Sequence, residues 1–205
     1  MYLDVFSDNS LEANCWLIGA EGSDDAVVVD PGFSPGRVHA MLRTEGKRPV
    51  AVLATHGHFD HIGSAAEFCG DDLPFHIHEA DAPALADQQA WGAGYQTPPI
   101  PVKDVRLVAG GDVLTFAGFA IEVIHTPGHT PGSVLYRTDG WVLSGDLVFA
   151  GTIGRSDFPN SDPTAMRASL RRFLELPDAT DVLPGHGPRT TVERERGRNP
   201  FLQGL

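Results

Sequence analysis

The chain has no apolar run of about eighteen residues, the length a helix needs to cross a bilayer. Its start, Met1-Tyr2-Leu3-Asp4, has none of the charged-then-apolar pattern of a secretory leader, so a cytoplasmic location is expected. Cysteine is scarce. Cys15 sits in a strand-like apolar run and Cys69 in a helix-like one, which reads as two buried thiols rather than a disulfide framework. Positive charge is scarce too: 15 Lys and Arg against 27 Asp and Glu leave a formal net charge of −12. Without a basic stripe to neutralise phosphates, nucleic acid and anionic membrane are excluded as partners. There is no Gly-x-Ser-x-Gly elbow, so a serine nucleophile has no support. What remains is 205 residues of ordinary composition, 41% hydrophobic and 20% charged. That is enough to bury one core, and residues 1–205 read as a single domain.

Histidine and aspartate are concentrated where they matter. Thr55-His56-Gly57-His58-Phe59-Asp60-His61 puts four metal-ligand side chains on one short loop, directly after the apolar run Val50-Ala51-Val52-Leu53-Ala54. Imidazole nitrogens and carboxylates suit divalent zinc, manganese or iron, and a strand end is a rigid place to mount them. The alternation of His56 and His58 suits convergence on one ion, while Asp60 and His61 turn the chain and face the other way. One loop can thus serve two adjacent metals. A second His-x-His, at Pro74-Phe75-His76-Ile77-His78, has no following carboxylate pattern and reads as packing or solvated histidine.

His-x-His-x-Asp-His after an apolar strand resembles the signature of the metallo-β-lactamase superfamily, and further donors follow in that family's order. His129 lies in His125-Thr126-Pro127-Gly128-His129, Asp146 in Leu143-Ser144-Gly145-Asp146, and His186 in Leu183-Pro184-Gly185-His186-Gly187. The resemblance spans the chain from about the first strand to His186. It implies that His56, His58 and His129 hold a first ion, that Asp60, His61 and His186 hold a second, and that Asp146 bridges them. Two divalent cations are therefore expected, zinc first, with iron or manganese also fitting. The implied fold is α/β, a four-layer αββα sandwich of two mixed β-sheets flanked by helices. His125 is read as a support, and Asp30, in Asp30-Pro31-Gly32, as a residue that structures the site without ligating.

The remaining pattern agrees with an α/β domain. Strands are expected at Tyr2 to Phe6, Asn14 to Gly19, Ala26 to Val29 and Val50 to Ala54, with a helix opened by Ser34-Pro35 that ends near Gly46. Helices are also expected from near His61 to Phe68, over Glu79 to Ala93 with Gly92-Ala93-Gly94 as its stop, and over Pro163 to Leu176. Thr97-Pro98-Pro99-Ile100-Pro101 must be loop, a candidate rim or lid. Hairpins are expected around Ala117-Gly118-Phe119 and Asp139-Gly140, and a last strand at Asp181 to Leu183.

Two cations about 3.5 to 4 Å apart can share a water and lower its pKa toward neutrality, which points to hydrolysis. Attack by a hydroxide shared between the ions, oriented by Asp60 as the catalytic residue, suits a thioester, because a thiolate leaves with little protonation. Asp146 departs from zinc β-lactamases, which resemblance endows with a cysteine or no ligand there. The arrangement looks most like glyoxalase II, the hydroxyacylglutathione hydrolases that split S-lactoylglutathione. A basic residue nine positions after the bridging aspartate contacts glutathione in that family, and Arg155 stands there. No C-terminal helical domain like that of full-length glyoxalase II is expected, and the position where that family has an aromatic residue after the last histidine is Pro188. The short single-domain bacterial type fits better. Arg194, Arg196 and Arg198 either meet an anionic thiol or form a solvated tail. A mononuclear-iron persulfide dioxygenase is the runner-up: it shares a Gly-Arg-x-Asp segment like Gly154-Arg155-Ser156-Asp157, but its iron is held by the equivalents of His56, His129 and Asp146 alone. A non-catalytic metal-binding module ranks below both, because no ligand position is substituted.

Overall fold

Successive side chains on a strand point to opposite faces, so a strand apolar on both must be covered on both. A computed structural model describes residues 1–7, 11–69, 73–91, 98–116 and 118–205. Six strands form a first sheet in chain order: β1 (Tyr2–Ser7), β2 (Asn14–Gly19), β3 (Asp25–Val29), β4 (Arg48–Leu53), β5 (Phe75–His78) and β6 (Val105–Val108). β1 to β3 pair antiparallel and β3 to β6 parallel. The second half continues with β7 (Val113–Phe116), β8 (Phe119–His125), β9 (Val134–Thr138) and β10 (Trp141–Gly145), then the small hairpin β11 (Val148–Phe149) and β12 (Thr152–Ile153). β13 (Asp181–Pro184) and β14 (Thr190–Thr191) complete a second sheet of order β14-β13-β10-β9-β8-β7, antiparallel except where β10 meets β13.

Alternation sorts the core into three apolar layers. Trp16, Ile18, Val27, Val29 and Leu53 point from the first sheet toward Ile121, Val123, Tyr136 and Leu143 of the second. Their neighbours Leu17, Val28, Val52 and Ile77 face outward beneath α1 (Pro35–Thr44), α2 (Phe59–Ile62) and α3 (Ala65–Phe68). Leu135, Val142 and Val182 face outward under α4 (Pro163–Phe173) and α5 (Val192–Arg198), where they meet Met166, Leu170, Phe173 and Val192. The layers are therefore α, β, β, α, as the resemblance implied. Among the described residues no helix is long and apolar enough to cross a membrane.

Three expectations change. The helix expected over Glu79 to Ala93 is replaced by two short 3-10 segments, Ala82–Leu85 and Gln89–Trp91. The carbonyls a helix would use are taken elsewhere: Ala84 O accepts from the Gln88 side chain and Leu85 O from the Ile100 N–H. The expected stop at Gly92-Ala93-Gly94 lies outside the described residues, as do Ala117 and Thr97; residues 98–101 are loop. The helix expected from His61 to Phe68 breaks after Ile62, because the Ser64 N–H donates to Gly32 O and its hydroxyl to Pro31 O. Finally, the Arg-rich segment is a docked helix and not a tail: α5 buries Val192 and Glu195, and Arg196 pairs with Asp178 and donates to Leu174 O and Leu176 O, while Arg194 and Arg198 are exposed.

Candidate metal centre

Strand ends converge at one edge of the two sheets, and the loops that follow them carry the donors. β4 delivers His56 and His58, and α2 carries Asp60 and His61. From the second sheet, β8 leads to His129, β10 ends one residue before Asp146, and β13 ends two residues before His186. All seven predicted ligand residues come together.

Three overlapping clusters lie within the group, one of them His56, His61 and Asp146, and the other two share no residue. His56 Nε2 lies 3.1 Å from His58 Nδ1, which lies 2.9 Å from His129 Nε2, and these three rings can hold one ion. Asp60, His61 and His186 form another such trio, with His186 Nε2 3.3 Å from His61 Nε2 and 3.3 Å from Asp60 Oδ2. Asp146 stands between: Oδ2 is 3.4 Å from His129 Nε2 and 3.5 Å from His186 Nε2, and Oδ1 is 3.5 Å from His61 Nε2.

The outer nitrogens of His56, His61 and His129 have partners, which aims the inner ones. Asp30, buried and with φ +53°, accepts from the Thr55 N–H at 2.7 Å, the Thr55 hydroxyl at 2.7 Å and His61 Nδ1 at 2.9 Å. The same hydroxyl meets His56 Nδ1 at 3.1 Å, and His129 Nδ1 donates to Arg155 O at 2.7 Å. Such partners fix ring orientation and tautomer, the role expected of groups behind a metal ligand.

Charge and satisfaction both call for a cation. His58 Nδ1 lies within 3.1 Å of two other ring nitrogens and cannot bond both with one proton, and Asp146 Oδ1, buried within the group, has no hydrogen-bond partner. Burial and the neighbouring His61 hold His56 well below the usual imidazole range, and burial with His129 brings His58 down to about 3. Both therefore offer lone pairs. Burial also disfavours charge on His61 and His186, but Asp60 and Asp146 outweigh it and raise them to about 9 and about 11. Burial raises Asp146, but His61 and His186 outweigh it and hold the carboxylate well below its usual range. The donor set fits two divalent ions in place of those protons.

A cavity of about 350 Å³ opens on this edge, floored by His58, Asp60, His129, Asp146 and His186 and walled by Leu11, Phe149, Ile153 and Phe158. Arg155 lines it, its guanidinium paired with Asp157 at 2.8 and 3.0 Å and stacked 4.4 Å over Phe158. A larger depression of about 640 Å³ bounded by Met1, Val113, Phe119 and Arg137 touches none of these donors, so chemistry and not volume selects the site. His125 stacks 4.1 Å from His78 and donates to Pro131 O, and His76 lies by Val52 O and Phe116; neither pair belongs to a metal-type cluster among the described residues.

Sequence reasoning passed over Asp81, which is fully buried and accepts from Gly57 N–H at 2.7 Å, Thr130 hydroxyl at 2.6 Å and Gly132 N–H at 2.6 Å. Burial pushes its carboxyl up to about 6 against the pull of those donors. Its partners lie 24 to 51 positions away, so no local pattern marked it.

The sequence model of the Metallo-beta-lactamase superfamily matches residues 9–186. A protein of Bacillus subtilis named as a probable metallo-hydrolase is 36% identical over 95% of this chain and 94% of its own. The hydroxyacylglutathione hydrolase GloC of Haemophilus influenzae is 30% identical over 98% of both. Among solved structures, the BLEG-1 B3 metallo-beta-lactamase superposes with a TM-score of 0.88 at 33% identity, covering 99% of this chain and 100% of its own. TTHA1623 in a di-iron-bound form gives 0.86 at 38%, over 97% and 100%. ETHE1 from Myxococcus xanthus gives 0.80 at 27%, over 100% and 85%.

Proposed function

Because the chain belongs to the metallo-beta-lactamase superfamily, we propose that it is a dinuclear metal-dependent hydrolase cleaving a thioester, S-lactoylglutathione or a related hydroxyacyl thiol. The observation that carries this reading is the position of Asp146, within 3.5 Å of His61, His129 and His186 at once. A carboxylate between two ligand trios suits two ions and not one. His56, His58 and His129 would hold the first, Asp60, His61 and His186 the second, and Asp146 both. Zinc fits the nitrogen and oxygen donors, and iron has a precedent in the di-iron relative. Bound there, the ions supply Lewis-acid polarisation of a carbonyl and bring the pKa of water to about 7.

The chain's own groups do the rest. The Asp60 carboxyl is disfavoured by burial but held below its usual range by His61 and His186, so it stays an anion able to accept a hydrogen bond from a water and orient it. Phe149, Ile153 and Phe158 exclude bulk water from the acyl group. Arg155 at the cavity wall offers a guanidinium to a carboxylate of the thiol part, in exchange for Asp157. A departing thiol of ordinary pKa, about 8.5, needs no dedicated acid. The GloC likeness over nearly the whole of both chains supports the acyl-thiol choice.

Two other substrates have support enough to be assayed beside it: a β-lactam, from the likeness to BLEG-1, and a persulfide, from the likeness to ETHE1. Metal-analysed protein is given S-lactoylglutathione, a chromogenic cephalosporin and glutathione persulfide with an oxygen electrode. Hydrolysis of the thioester with two metals per chain is the expected result. Oxygen uptake with one iron, or lactam turnover above thioester turnover, overturns it.

A further inference from the structure

Asp81 takes no part in the chemistry above, yet it holds both loops that carry the three-histidine trio. Gly57, whose N–H it accepts, is the residue between His56 and His58; Thr130 and Gly132, whose hydroxyl and N–H it accepts, follow His129. Those loops spring from different sheets, and His58 and His129 are 71 positions apart. The other side of Gly57 is held from the same segment, because Gln88 Nε2 donates to its carbonyl at 3.0 Å. The fit leaves no slack: a Cβ on Gly57 would lie 2.7 Å from Ala84 Cβ, and one on Gly132 would lie 2.6 Å from Asp81 Oδ1. The other trio is held differently: His61 is fixed by Asp30 at 2.9 Å, and among the described residues neither Asp81 nor Gln88 hydrogen-bonds to Asp60, His61 or His186.

We infer that Asp81 is a positioning residue that sets the affinity of the His56, His58 and His129 position for its metal by pinning two ligand loops to one carboxylate, and that the Asp60, His61 and His186 position does not depend on it. This rests on the two-ion reading. A ligand constellation must be held to about 0.5 Å, and one side chain bonded to both loops supplies that restraint across the two sheets. A residue that merely filled core space would lower stability without choosing between the ions. Selectivity is thus the test.

Metal-stripped full-length wild type, Asp81→Ala, Asp81→Asn and Thr130→Val proteins are titrated with zinc against a chromophoric chelator, and with cobalt(II) followed by its absorption bands. His58→Ala and His186→Ala proteins assign each binding step to its trio. Asp81→Ala and Asp81→Asn are expected to weaken the step that His58→Ala abolishes by about 10–100-fold, leaving the other within about threefold. Thr130→Val, which removes one of the three bonds and keeps the carboxylate, moves the same step less; it decides the matter if the Asp81 variants do not fold. Equal loss at both steps, or none, in variants whose stripped forms unfold cooperatively overturns the clamp alone. A wild type that takes up a single ion overturns the two-ion reading, and the clamp with it.

Discussion

Gly185 packs against Asp146 and His61 of the candidate metal centre, and Gly185→Ala should weaken metal binding while leaving the fold. The residue cannot retreat: its N–H donates to Gly145 O at 2.8 Å and its carbonyl accepts from Asn14 N–H at 2.7 Å. A Cβ there would overlap Asp146 Oδ1 and lie 2.9 Å from His61 Cε1. Carbon contacts settle near 3.5–4.0 Å, so the His61 ring must withdraw by at least ~0.6 Å. Asp30 holds that ring at 2.9 Å. The displacement exceeds the ~0.2 Å tolerance of metal–ligand distances, so affinity should fall by about 10–100-fold, or ~1.4–2.8 kcal/mol. Overpacking of this size costs the fold about 1–3 kcal/mol, which at this chain length is roughly 2–12 °C in thermal midpoint. Metal per chain after desalting and the midpoint of the stripped protein are the measurements. A Gly185→Ala protein with two ions and wild-type turnover would refute the reasoning, because it would mean the backbone does not fix the ligands.

Other outcomes follow from features away from the ligands. A Cβ on Gly197 of α5 meets no heavy atom within 4 Å, so Gly197→Ala should raise stability by about 0.5–1 kcal/mol in urea unfolding; a loss would mean that α5 is not helical there in solution. Asp162 caps α4 by accepting from Thr164 N–H and Ala165 N–H, and Asp162→Ala should cost about 0.5–2 kcal/mol with metal content unchanged. Chelation should lower the thermal midpoint and stoichiometric zinc restore it, because an ion at ~100 times its dissociation constant adds about 2.7 kcal/mol; a midpoint indifferent to both would count against metal binding.

Much of this was readable in advance, and the reason differs from part to part. β4 and its ligand loop are adjacent in sequence, so the apolar run Val50 to Ala54 and the donors after it identify each other locally. β13 with His186 and β10 with Asp146 work the same way. The helix over Glu79 to Ala93 failed because alanine content reports local preference, while Gln88 and Ile100 claim its carbonyls through contacts that composition does not encode. β6, with Arg106 and Leu107 exposed on an edge strand, has too weak an alternation to be read. α5 was hidden by its charge: only Val192 and Glu195 turn inward, and Glu195 is held by Gly151 N–H, Thr190 and Asn199, partners known only once the chain has folded. Asp81 belongs to the same class. Gly57 and Gly132, small residues beside the ligands, were the available hint that something packs there.

The two candidate trios draw on both sheets, and that bears on when a ribosome-bound chain could close a metal site. His56 to His61 emerge early in synthesis, with Asp146 and His186 still untranslated, so the first loop meets the cell as an open chelator of partial strength. Both candidate positions need His186, the last of the seven donors in chain order, before they can close. A polypeptide stalled before His186 would carry donors without a cage.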